Sequence, residues 1–210
     1  EAIDPVRGIT NSSSGKMGYA IAESLLARGV RVTLVSGPVD MAVPAGAVGI
    51  DVTSAYEMLD AVKHNLTGVD LFFAVAAVAD YTPKAPQKQK IKKSDAAMRV
   101  ELTPTTDILA WVASQPKPPY CVSFAAESEN VIEYAVKKRE KKKIPVIVAN
   151  HANSAIGADE NEVTIIEASG KTPVPRGPKT VIADKIVDHV LKSYQNLRNS
   201  SKLTKTRTKR

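Results

Sequence analysis

Apolar residues recur along the chain with two alternating periods. From Lys16 to Arg28 they come three to four apart, with Met17, Ile21 and Leu25 on one face, and Gly29 ends the helix this predicts. Val30 to Val35 is a β-branched run closed by Ser36-Gly37-Pro38. Val48 to Val52 repeats that character before a helical pattern from Ser54 to His64. Leu71 to Val78, Tyr120 to Phe124 and Pro145 to Val148 are almost wholly apolar, as parallel strands covered on both faces must be. Helices predicted over Asp107 to Ser114 and Asn130 to Lys142 alternate with them. Val163 to Ala168 has the pattern of an edge strand, and a last helix is predicted over Lys179 to Tyr194. A β-then-α rhythm of this kind predicts an α/β fold, Rossmann-like and three-layered, with helices on both faces of a mostly parallel sheet.

Between two of those segments, Tyr81 to Ser94 offers no packing face and carries two prolines and five lysines, so it is expected to be a mobile loop. Loops hung from the carboxyl end of a central parallel strand are where such folds place ligand chemistry, and an active-site flap is the better reading of it than an inert linker.

Composition narrows the class. A chain of 210 residues, 43% hydrophobic, can bury one sizeable core. No apolar run approaches the roughly 18 residues needed to cross a bilayer, and Glu1 to Arg7 lacks both a basic start and an apolar centre. A membrane role is therefore not expected, and a cytoplasmic location is. The single cysteine, Cys121, can build neither an intramolecular disulfide nor a cysteine-rich metal site. The formal charge of +7 owes most to an acid-free end carrying Arg198, Lys202, Lys205, Arg207, Lys209 and Arg210. That end is expected to be a disordered basic tail over 196–210, and the nearly neutral remainder, residues 1–195, argues against a nucleic-acid partner.

Three places carry candidate chemistry. Asn11-Ser12-Ser13-Ser14-Gly15-Lys16-Met17-Gly18 leads straight into a helix, presenting free N–H groups, hydroxyls and a positive dipole end that suit a phosphate; with Ser14 as an ordinary N-cap it would equally be a turn with no ligand. Asp80, after the small residues Ala74 to Ala79, suits Mg²⁺ on a triphosphate or a plain loop position. Lys138 and Lys142 share one helix face and suit phosphates, although a solvated face is the commoner meaning of such a run.

Tyr134 and Lys138 also form the Tyr-x-x-x-Lys spacing of short-chain dehydrogenases. However, the glycine-rich dinucleotide loop is missing and Val35 is followed by Ser36-Gly37-Pro38 where an acidic residue should receive a ribose. His64, His151 and His189 show neither metal spacing nor a serine elbow, and His189 is expected on a surface helix.

Asp4-Pro5-Val6-Arg7-Gly8-Ile9-Thr10-Asn11-Ser12-Ser13-Ser14-Gly15-Lys16-Met17-Gly18 resembles the opening of the bacterial phosphopantothenate–cysteine ligase family. Ala76-Ala77-Val78-Ala79-Asp80-Tyr81, Lys90-Ile91-Lys92-Lys93, Phe124-Ala125-Ala126-Glu127 and Ala149-Asn150 follow in the family's order. The resemblance implies a ligase of coenzyme A biosynthesis that uses CTP to form an acyl-cytidylate of 4′-phosphopantothenate, which cysteine then attacks. It implies that Lys90 neutralises phosphates, that Asn11 and Arg7 hold the acyl-cytidylate, and that Ala77 shapes the same pocket. Nucleotide contacts are implied for Ala74, Val75 and Ala76, for Asp80 with Mg²⁺, for Thr106, Asp107, Ile108 and Leu109, and for Phe124, Lys138 and Lys142. A homodimer fused to or partnered with a phosphopantothenoylcysteine decarboxylase domain is implied as well. The family normally opens with a β-strand and glycine-rich turn that this sequence lacks, so the first strand is expected to be missing from the sheet. Thr106 and His151 stand where proline and aspartate are usual. Two other readings stay open: a non-catalytic Rossmann-like fragment and an NAD(P)-dependent oxidoreductase.

Overall fold

A computed structural model of the chain describes residues 1–93, 97–151 and 159–207, the last seven of these by backbone alone. In chain order the elements are α1 (Lys16–Ala27), β1 (Thr33–Ser36), β2 (Val48–Asp51), α2 (Ala55–Asn65), β3 (Leu71–Ala74), β4 (Tyr81–Pro83), β5 (Leu102–Pro104), α3 (Ile108–Ala113), β6 (Tyr120–Glu127), α4 (Val131–Lys142), β7 (Val146–His151), β8 (Glu160–Glu167), β9 (Gly170–Pro178) and α5 (Lys179–Arg207). The larger sheet runs β3-β6-β7-β8-β9, parallel as far as β7 and antiparallel beyond it. β1 and β2 form a separate parallel pair, and no described strand joins β1 to β3.

Alternation along the central strands assigns side chains to the two faces. Val122, Val146 and Val148 face one way, into a core with Ile21 and Leu25 of α1 and Ile182, Ile186, Val187 and Val190 of α5. Ile147 and Ala149 face the other way, against Val131 and Ala135 of α4, while Cys121 meets Leu59 and Val62 of α2 and Val112 of α3. Each valine, leucine or isoleucine among them, fully removed from water, contributes about 1.5–3 kcal/mol relative to exposure. Three layers result, as the sequence pattern predicts. A polar clamp reinforces α1 against α5: Arg28 donates to Asp188 Oδ1 at 2.6 Å and to Asp184 Oδ1 at 2.9 Å, and Ser24 Oγ donates to the same Asp184 oxygen at 2.6 Å.

Several expectations need correction. β8 is not an edge strand, because β9 pairs outside it; Pro173, Pro175 and Pro178 mask β9 in the sequence, yet an edge tolerates residues that cannot donate. β3 stops at Ala74 rather than Val78. The loop expected to be mobile and unpacked begins as β4, which pairs antiparallel with β5, although Ser94 lies outside the described residues. α5 carries helical backbone through Arg207, where a disordered tail was expected; once a helix is nucleated, each further residue adds a hydrogen bond. His189 lies on the partly exposed helix α5, half-buried, with its Nε2 3.0 Å from Glu167 Oε2 of β8.

Candidate functional site

Parallel pairing brings the carboxyl ends of β3, β6 and β7 to one edge of the sheet, where the chain between Val75 and Asp80 leaves regular structure. Side chains take over the pairing there. The Asn11 Nδ2 amide donates to the carbonyls of Ala77 at 3.0 Å and Val78 at 3.2 Å, and Thr105 Oγ1 donates to the carbonyl of Ala79 at 2.6 Å. The Thr105 amide donates to the Asp80 carbonyl at 2.9 Å. Asn11, Ala77 and Asp80, three residues singled out in the sequence, thus lie on or against one segment, and the exposed Asn11 side chain commits its amide nitrogen there.

The serine-rich turn enters α1 beside that segment. Gly15, not Ser14, is the N-cap; it holds φ at 72°, and no side chain caps the helix. A β-carbon on Gly15 would sit 2.8 Å from Val39 Cγ1, so this corner admits only glycine without rearrangement. Ser12 and Ser13 are exposed, while Lys16 turns away to pair with Asp159.

On the far side, α3 and α4 converge. Asp107 caps α3 by accepting from the Ala110 amide at 2.9 Å and receives Lys142 Nζ at 2.8 Å. Burial raises the Asp107 carboxyl, but the Lys142 ammonium, the Ala110 amide and the charge of Lys138 together outweigh it and hold the group below its usual range. Lys138 is half-buried among Lys142, Glu127, Asp107 and Asp80; burial first, then the Lys142 charge, lowers its pKa against the pull of those carboxylates. By contrast Lys137 pairs outward with Glu133. The solvated-face reading therefore describes Lys137 and does not describe Lys138 and Lys142. Tyr134 of the dehydrogenase-like spacing is 43% exposed.

Other nominated residues lie differently. Ile108 and Leu109 are buried in the core, leaving backbone as what they can offer a ligand. Phe124 packs partly buried against the α1–α5 core, and Thr106 is exposed. Val75 and Ala74 line the approach to α1 and the α2–α3 core respectively; a β-carbon on Gly18 would lie 3.8 Å from Val75. Lys90 is exposed, and among the described residues no hydrogen bond or ion pair joins it to Asn11 or Asp80. Arg7 does not point freely toward a substrate: its Nε donates to Asp4 Oδ2 at 3.0 Å and its Nη2 to the Ile91 carbonyl at 2.6 Å. Cys121 is a core thiol pushed up to about 11 by burial.

Two participants escaped the sequence reading. Glu127, at the end of β6, faces Lys138. Asp4 is wholly buried beneath Arg7 and Ile91. The Asp-Pro pair signals a turn at Asp4, yet nothing local announces a partner 87 positions away.

Among the described residues, no group of three or more histidines, cysteines and carboxylates is placed to cage a metal. The donor set fits a cation that arrives with phosphate: Mg²⁺ keeps most of its water and asks one or two carboxylates of the protein, and Asp80 is exposed to provide one.

The profile of the family described as the DNA/pantothenate metabolism flavoprotein C-terminal domain matches residues 1–194. The coenzyme A biosynthesis bifunctional protein CoaBC of Vibrio vulnificus strain CMCP6 is 41% identical over 196 residues, which is 90% of this chain and 49% of that protein. CoaBC of Bacillus subtilis strain 168 is 44% identical over 195 residues, 90% of this chain and 48% of that protein. The chain thus spans about half the length of the curated relatives it matches. Among solved structures, the crystallised C-terminal domain of CoaBC superposes with a TM-score of 0.78 at 36% identity, over 93% of this chain and 92% of that one. A Cab2 mutant in complex with phosphopantothenate-cysteine superposes with a TM-score of 0.77 at 16% identity, over 94% of this chain and 83% of that one, a likeness of fold alone.

Proposed function

The chain belongs to the DNA/pantothenate metabolism flavoprotein C-terminal domain family, and from that premise we propose that it is a ligase of coenzyme A biosynthesis, joining cysteine to 4′-phosphopantothenate at the expense of CTP. The observation that carries this reading is the Asn11 amide bonded to the Ala77 and Val78 carbonyls, because it sets the serine-rich turn against the open end of β3 with one amide oxygen to spare.

A carboxylate resists attack by an amine until one oxygen becomes a leaving group. In the first step a phosphopantothenate carboxylate oxygen bonds to the α-phosphorus of CTP, the bond to the β-phosphate breaks, and pyrophosphate departs. In the second the cysteine nitrogen bonds to the acyl carbon, the acyl–oxygen bond breaks, CMP departs and the amine releases a proton. The protein's task is to orient these groups and to offset negative charge. Lys138 and Lys142 face the triphosphate side, the uncapped start of α1 offers amide donors, Asp80 would hold Mg²⁺, and Lys90 approaches from its loop. Mg²⁺ would supply charge neutralisation to the departing phosphates. Asn11 Oδ1 meets the acyl group while its Nδ2 stays committed to the Ala77 and Val78 carbonyls, Ala77 is too small to obstruct it, and the backbone from Ala74 to Ala76 takes the nucleoside.

Lys90→Gln is expected to suppress pyrophosphate release from CTP, whereas Asn11→Asp permits release and slows the cysteine adduct. Equal losses at both steps would overturn this division of labour. Competition among CTP, ATP and NADPH decides the cofactor: NADPH binding without CTP binding would favour the oxidoreductase, and wild-type protein inert toward all three would leave the non-catalytic reading. Family relatives that are bifunctional support a decarboxylase domain as the neighbour of this one, and the homodimer and cytoplasmic location go with the same reading.

A further inference from the structure

The Asp4 side chain is wholly shielded from solvent, and its two oxygens divide their work. Oδ1 accepts from the amides of Val6 and Arg7, both at 2.9 Å, closing the turn that carries Arg7. Oδ2 accepts from Arg7 Nε at 3.0 Å, from Arg7 Nη2, and from the Ile91 amide at 3.0 Å. Arg7 Nη2 in turn donates to the Ile91 carbonyl. Both peptide planes flanking Ile91 are therefore pinned, and the first of them is the one that leaves Lys90. A second tie, from the Gln87 amide to the Ile3 carbonyl at 2.8 Å, fixes the loop upstream. An ionised carboxylate is not left buried without full pairing, and the donors around Asp4, led by Arg7, hold its carboxyl well below the usual range.

We propose that Asp4 is a positioning residue for Lys90: through Oδ2 it anchors the lysine loop to the turn bearing Arg7, which leads on to Asn11, so that the Lys90 ammonium samples a small volume over the nucleotide. The proposal rests on the ligase reading, in which Lys90 serves the first chemical step. Arg7 then acts with Asp4 as the other half of the clasp, and its side-chain bonds to Asp4 and Ile91 account for its place in the opening motif.

The division of labour between the oxygens supplies a selective test. Asp4→Asn keeps one oxygen to close the turn and sets an amide NH₂ against the donors that Oδ2 accepted. In the intact wild-type protein the Ile91 amide should exchange with deuterium at least about tenfold more slowly than those of Lys90 and Lys92, which donate to nothing among the described residues. Asp4→Asn should erase that difference and speed tryptic cleavage in the 87–93 loop, while kcat for pyrophosphate release falls about tenfold and the KM for CTP stays within about twofold. An unprotected Ile91 amide in the wild type overturns the clasp even if the variant fails to fold. A released loop with unchanged kcat overturns the positioning role. If the wild type releases no pyrophosphate, the ligase reading and the positioning role fall together, and Ile91 exchange still tells whether the clasp exists.

Discussion

Single residues fix the corner where the proposed substrates meet. At Gly15 an added β-carbon faces both a left-handed backbone, which costs an L-residue about 1–2 kcal/mol, and the Val39 side chain. Gly15→Ala is therefore expected to lower the unfolding free energy by about 2 kcal/mol, seen as a reduced urea midpoint at constant m-value; an unmoved midpoint would show the turn reforming without strain. Lys142 presents the opposite case. Its partner Asp107 is 49% exposed at the side chain, so Lys142→Gln should leave the melting temperature nearly unchanged while weakening triphosphate binding about tenfold, measured by calorimetry. At this scale the sequence announced residue types and not pairings. Lys138 and Lys142 were legible as a shared face from their spacing, and Asn11 as part of an anion-suited turn. Whether the lysines faced solvent depended on α3 packing beside α4, and one of Arg7's two partners came from a loop more than eighty positions away.

Elements were legible where burial on both faces imposed a continuous apolar run, as in β6 and β7, or where a helical stripe met one core, as in α1. They were illegible where side chains or an edge position set the structure. β3 ends at Ala74, and beyond it Asn11 and Thr105 side chains, not strand pairing, hold the Ala77, Val78 and Ala79 carbonyls, while β9 hides behind its prolines. The α1–α5 contact yields two predictions. Ile186, fully buried in it, should cost about 2–5 kcal/mol as Ile186→Ala by denaturant unfolding. Ser24 and then Arg28 hold Asp184 below its ordinary range, and Arg28 does the same for Asp188. Folded-state values below the unfolded value of about 3.9 mean that the clamp's contribution is complete above that pH and fades as pH falls through the folded values. The urea midpoint should accordingly hold steady from about pH 7 to 5 and drop below about pH 4, less steeply in Arg28→Met; parallel acid profiles for the two proteins would remove the clamp from the account.

For the molecule as a whole, the two α-helical layers and the sheet between them bring the Asn11 turn, the Ala77–Asp80 segment and the α3–α4 corner to one edge, and a ligand bridging them should stabilise the fold. At a hundredfold excess over its dissociation constant, CTP with Mg²⁺ should add about 2.7 kcal/mol, visible as a raised melting temperature that NADPH does not reproduce. A rise with NADPH alone would reverse the nucleotide assignment. The core between α1 and α5 also has a consequence for biogenesis. Its walls come from residues as far apart as Ala20 and Val190, so a nascent chain emerging from the ribosome cannot seal that face until the last helix has cleared the exit tunnel. Valines 122, 146 and 148 must wait, covered by α1 alone, until residues as late as Val190 have been made, which makes the interval before α5 arrives the period when this face most needs a chaperone.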